Sequence, residues 1–178
     1  MYTAHFAAAL AVKARAPEAP AWALITAAFV PDFLWVVLAV AGVEPTQPPL
    51  GFFDDWSHSA VMIVVWASLF AALFWRMGRS VSLPVWITGL THIPLDFLIH
   101  PKRLALYPHS SIHLGWDLWD WGQEKGWLGA NQYWWVELAV IVVCAAVYVQ
   151  GARKYRFAPN LIAASCVALA ALHLMAIL

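Results

Sequence analysis

The stretch AWALITAAFVPDFLWVVLAVAGV, residues 21–43, decides how the chain is read. It runs for 23 residues with one charged side chain, Asp32. A helix rising 1.5 Å per residue over that length crosses a hydrocarbon core of about 30 Å. Working outward, similar apolar runs occupy about 57–76, 82–100, 132–152 and 159–178. The apolar segment from Tyr2 to Ala14 is too short to cross and reads as a tilted or partial helix. The expected fold is an all-α integral membrane protein, a compact bundle of five transmembrane helices plus that short N-terminal helix. Residues 1–178 read as one polytopic domain without internal repeats.

Composition agrees. Of 178 residues, 63% are hydrophobic and only 11% charged, against roughly a quarter in a typical soluble domain. Mean hydropathy is +0.70. Such a chain cannot furnish a soluble protein's polar surface, and it is far too apolar for disorder. Ten basic and ten acidic residues cancel, so nucleic acid is not an expected partner. Membrane lipids are. Cys144 and Cys166 lie inside apolar runs and read as small core residues. Lys13 and Arg15 follow the first apolar segment rather than precede it, unlike a secretory signal.

Prolines punctuate the spans. Pro20, Pro84 and Pro159 fall near span starts, where a missing N–H costs least, whereas Pro31 and Pro94 fall inside spans and predict kinks. Residues 44–56, with Pro45, Pro48, Pro49 and Gly51, read as a loop. Residues 101–131 read as a longer loop carrying Trp116, Trp119, Trp121 and Trp127, a density that suits the headgroup level and offers a surface for other membrane proteins. Lys13, Arg15, Arg76, Arg79, Arg153, Lys154 and Arg156 gather on one side; Lys102, Arg103 and Lys125 stand on the other. The basic side is expected in the cytoplasm of a bacterial-type inner membrane. The N-terminus, both loops and the C-terminus then lie outside.

An ionisable group inside a span costs ~2.5–3.5 kcal/mol to insert. His5, Asp32, His58, His92, Asp96, His100, Glu137 and His173 all fall between mid-depth and the outer surface on this topology. His92, Asp96 and His100 sit at i, i+4 and i+8, on one helix face. Imidazole and carboxylate on adjacent turns can reach one cation, and two His with carboxylates suit Zn²⁺ or a similar divalent ion better than Ca²⁺ or Mg²⁺. No Lys or Arg lies at matching depth to pair with Asp32, Asp96 or Glu137, which leaves a metal or a proton shared with His. Plainer readings stand beside these. His173 reads as an interhelical hydrogen-bonder, His100 equally as a helix-end cap, His109 and His113 as loop residues. Asp54 and Asp55 can simply cap the helix beginning at Ser57.

Four motifs in order resemble a known family. An early His5, the Pro31-Asp32 pair, Trp56-Ser57-His58-Ser59 and Thr91-His92-Ile93-Pro94-Leu95-Asp96 resemble the YdjM-like membrane-bound metal-dependent hydrolases, over residues 1 to about 120. Leu114-Gly115-Trp116-Asp117-Leu118-Trp119 and Glu137 resemble a short-chain subgroup. The family pattern is similar in outline to zinc-dependent phospholipase C enzymes. The resemblance implies metal ligands His5, Asp32, His58, His92 and Asp96, one or two ions, and a metal-activated water attacking a lipid phosphoester or ester. Asp55 or Glu137 is the expected base, or a partner that orients a histidine. The chain departs from the pattern at Phe33-Leu34-Trp35, where many members carry a second acid and a His, and at Asp54-Asp55-Trp56, where many carry Arg-Gly. Two other classes remain open on sequence: a non-catalytic membrane subunit whose His residues ligate haem or a pigment, and a metal or proton transporter.

Overall fold

The computed structural model describes residues 2–44, 54–99, 104–116 and 132–175. Its secondary structure is almost entirely helical. Helix α1 covers Tyr2–Lys13, α2 covers Ala21–Val40, α3 is the single turn Asp55–His58, and α4 covers Ala60–Ala72. After a 3-10 turn at Trp75–Met77 come α5, Arg79–Leu90, and α6, His92–Ile99. Helix α7 covers Gln132–Lys154 and α8 covers Pro159–Met175. Among the described residues the strands are a two-residue antiparallel ladder, β1 (Leu104–Ala105) with β2 (His113–Leu114). It lies in a segment expected to be loop.

Among the described residues, three helical stretches are long and apolar enough to cross a membrane: Ala21–Val40, Arg79–Leu98 and Tyr133–Lys154. The other two expected spans are shorter helices. The span expected over 57–76 is broken at Ser59, whose backbone is extended (φ −64°, ψ 149°), and leaves 13 residues in α4. The last span gives 17 residues in α8. The expected 82–100 span begins earlier, at Arg79, so Pro84 sits within α5 rather than at its start. Its expected interruption at Pro94 takes the form of a break at Thr91. Pro94 then occupies the third position of α6, where an N–H has no intrahelical acceptor in any case. Pro31 stays inside α2, and Pro20 and Pro159 stand at helix starts as expected.

Small residues bring the helices together. Ala4, Ala7, Ala8 and Ala9 of α1 are buried, with Ala23, Ala27 and Ala28 of α2. A Cβ on Gly89 would stand 2.8 Å from Ala67 Cβ, so α4 and α5 meet at that glycine. In lipid, where apolar side chains gain little by meeting one another, such close approach supplies the packing energy. The outward faces remain apolar: Val36, Val37 and Val40 of α2, Leu69 of α4, Val142 and Val143 of α7, and Val167 of α8 are all exposed. A surface of that kind suits a hydrocarbon solvent.

Candidate metal centre

The break after Thr91 starts α6 with His92 and places Asp96 one turn later. His92 Nε2 lies 3.0 Å from Asp96 Oδ2. Its other nitrogen, Nδ1, is 2.8 Å from the carbonyl oxygen of Ala28 in α2, within the turn that the Pro31 ring crowds. A carbonyl only accepts, so Nδ1 carries the proton. Neutral His92 therefore turns the lone pair of Nε2 toward a carboxylate oxygen. Two acceptors face each other at 3.0 Å in a site where His92 is 1% exposed. Only a cation or a proton reconciles that arrangement.

His58 repeats the device. Ser57 Oγ lies 2.7 Å from Glu44 Oε2 and 2.8 Å from His58 Nδ1. With the hydroxyl proton given to the carboxylate, Oγ accepts from Nδ1–H, and His58 Nε2 points at Asp32 Oδ1, 3.5 Å away. The short α3 and the extended Ser59 set that direction. Helix α1 contributes His5, whose Nε2 is 3.7 Å from Asp96 Oδ1. The His5 and His92 rings lie 4.1 Å apart, and those of His58 and His92 5.2 Å apart.

Five residues from four helices thus converge as two overlapping triads, His5–His92–Asp96 and Asp32–His58–His92, each with donor atoms within 4.8 Å of one another. Zinc bonds of about 2.0–2.2 Å to N and O imply ligand–ligand edges of roughly 3.3 Å around a tetrahedral ion, which the 3.0–3.7 Å separations bracket. The donor set fits a divalent cation. Three neutral imidazoles and two carboxylates carry two negative charges, which one such ion balances.

The remaining expected site residues lie elsewhere. His100 is outside the described residues. Asp55 Oδ2 accepts from the backbone N–H of His109 at 2.8 Å, tying α3 to the connection between β1 and β2. Neither Asp54 nor Asp55 caps α3 through its side chain. Glu137 Oε1 accepts from Ala4 N–H at 3.1 Å, and its Oε2 lies 3.6 Å from His173 Nδ1. His173, expected to bond between helices, does so through its backbone: its carbonyl accepts from Trp134 Nε1 while its ring stacks on that indole at 4.2 Å. Both acids brace α1 or α3, the elements that carry His5 and His58.

Glu44 was not singled out for the site on sequence. It is fully buried and accepts three hydrogen bonds, from Trp56 N–H, Ser57 N–H and Ser57 Oγ. It therefore does from 12 residues upstream what a local cap would do for α3. Burial raises its carboxyl above the ordinary glutamate value, against the lowering pull of those bonds. An acid just after a span was the only sequence signal. Comparison of the chain with protein-family models, with curated proteins and with solved structures finds no match to any of the three.

Proposed function

We propose that the protein is a membrane-embedded metal-dependent hydrolase acting on a lipid-type phosphoester or ester at the outer leaflet. The observation that carries the metal is the locked tautomer of His92: Nδ1 is committed to Ala28 O, and Nε2 is left facing Asp96. An outer partner that fixes an imidazole and leaves its second nitrogen for a cation is the usual surrounding of a metal-bound histidine. The hydrolytic class follows from the likeness of the four ordered motifs to YdjM-like hydrolases. Close packing of three imidazoles also favours a small ion over a flat haem or pigment ring.

One ion is proposed, with Zn²⁺ the best match to the donors. His92 is common to both triads, and with Nδ1 committed to Ala28 O it has one lone pair to give, so we read them as one centre rather than two. His5, His92 and Asp96 hold the ion, and His58, which shares a triad with His92 but not with His5 or Asp96, joins them by closing on the bound ion. When bound, a divalent cation supplies Lewis acidity and an acidified water. Asp32 is the more open carboxylate, its side chain 27% exposed against 7% for Asp96, and is positioned to take a proton from incoming water. Asp55 and Glu137 act as braces. Helices α4 and α8 complete a five-span topology, with the Arg- and Lys-rich side in the cytoplasm.

Metal analysis of purified wild type, His92→Ala and Asp96→Asn tests this reading. About one ion per chain is expected in the wild type, and much less in both variants. Equal, near-zero content in all three sinks it. A colourless, metal-loaded protein that releases headgroup or fatty acid from defined lipids establishes the reaction; visible absorption from a bound macrocycle replaces it with the subunit reading.

A further inference from the structure

At the end away from the metal centre, the close of α7 and the start of α8 border an open cavity of about 610 Å³. Val149, Phe157, Ile162 and Ala163 line it with apolar surface, and Arg153 and Arg156 add two guanidinium groups. Among the described residues neither arginine meets a carboxylate. Sequence explains why. No Asp or Glu follows Glu137 in the chain, and Glu18 is the only acid before Asp32. Two uncompensated cations beside an apolar trough suit a ligand with an anionic head and a hydrocarbon tail.

The backbone adds an independent observation. Phe157 N–H donates to Ala152 O at 2.8 Å, and Arg156 N–H donates to Arg153 O at 3.2 Å. That bond pair closes a helix by the Schellman motif, whose left-handed residue is usually glycine. Here it is Arg156, at φ 57°. Arginine stands where the backbone favours a residue without Cβ. A need for positive charge against the helix dipole does not account for it, since Arg153 and Lys154 already supply that in the last turn of α7.

We propose that this cavity is a site for an anionic phospholipid, its phosphate held by Arg153 and Arg156 and an acyl chain lying along Val149, Phe157 and Ile162. Guanidinium groups take phosphate oxygens in pairs. The C-terminal end of a spanning α7 falls at the headgroup level, where basic pockets between helices recruit anionic lipids. The site is separate from the metal centre and stands or falls independently of it.

The test uses the full chain in phosphatidylcholine nanodiscs or mild detergent, titrated with phosphatidylglycerol, with phosphatidylcholine and with inorganic phosphate. Native mass spectrometry counts retained lipid, and thermal midpoints follow stabilisation. Wild type should retain phosphatidylglycerol selectively. Arg153→Gln with Arg156→Gly should weaken that retention about thirtyfold, for two cations lost near a charged surface. Arg156→Gly alone relieves the left-handed backbone, so its midpoint without anionic lipid should equal or exceed the wild type's while its phosphatidylglycerol retention falls. Equal retention of both lipids overturns the proposal, as does unchanged retention in the variants. Displacement of the lipid by millimolar inorganic phosphate overturns it in favour of a free-anion site.

Discussion

His92 donates Nδ1–H to the carbonyl of Ala28 at 2.8 Å and leaves Nε2 3.0 Å from Asp96. Without a cation, a buried carboxylate and a lone pair face one another, and the site costs the fold stability. Asp96→Asn removes that charge at constant shape. In chelator, the thermal midpoint of Asp96→Asn should therefore match or exceed the wild type's. With metal at 100 times its dissociation constant, the wild type gains about 2.7 kcal/mol by mass action and the order reverses. Midpoints measured with and without chelator check this; a wild type indifferent to chelator contradicts it.

Ser57 touches no proposed donor atom on the metal side, yet it holds His58 by Nδ1. Removing such a support typically costs 10–100-fold in metal affinity. Ser57→Ala should lose affinity in that range, and Ser57→Thr, which keeps the hydroxyl, should restore most of it. Competition titration against a chromogenic chelator reads both. An unchanged affinity in Ser57→Ala would detach His58 from the centre.

Glu44 gives a pH dependence with a definite sign. Its folded-state value is raised, burial outweighing three accepted hydrogen bonds. A raised acid contributes stability that is fully present below its unfolded value and is lost as pH rises through the folded one. Glu44→Gln has no such titration. The wild type should lose stability relative to Glu44→Gln as pH climbs from the ordinary glutamate range through the raised one, and hold a constant offset above it. Thermal midpoints across that range, in chelator so that metal protonation does not intrude, check the sign.

Much of this centre was legible in sequence because its chemistry is local. His92 and Asp96 pair at i, i+4 along one helix, and Pro31-Asp32 places an acid where a membrane span tolerates none without a partner. Contacts set by backbone breaks were not legible. Ser59 and Thr91 both fall inside the spans expected from hydropathy, yet the helix stops at both, and those stops aim His58 and His92. Glu44 reaches Ser57 from 13 residues upstream, a pairing no periodicity encodes. Asp55 and Glu137, read as candidates for the base, hold backbone N–H groups that their sequence neighbours do not reveal.

Glu137 separates a brace from a base. As a brace it satisfies the buried N–H of Ala4, next to His5. Glu137→Gln keeps an acceptor there and should retain metal and hydrolysis within a few-fold. Glu137→Ala strands that N–H at a cost of about 1–3 kcal/mol and should lower both metal occupancy and the thermal midpoint. Were Glu137 the base, Glu137→Gln would instead lose about 100-fold or more in turnover with metal retained.

Gly151 tests whether the packing of α1 against α7 is what delivers His5. A Cβ at Gly151 would overlap the carbonyl oxygen of Ala14 and fall 2.7 Å from Ala14 Cβ. Backbone lies on one side of that overlap and cannot rotate away as a long side chain would. Helix α1 must move, and with it His5, one of the three imidazoles. Gly151→Ala should destabilise by about 1–3 kcal/mol, the usual range for overpacking. The loss should extend beyond stability: metal affinity should fall although position 151 lies at the far end of α7 from Glu137. Gly42→Ala is the control. Gly42, unlike the helical Gly151, is left-handed, at φ 73°, so its alanine carries backbone strain, but nothing lies within 4 Å of the added methyl and no helix need shift. Comparable stability losses with metal affinity lowered only in Gly151→Ala would place the α1–α7 contact in the centre's support; equal affinities in both would remove it.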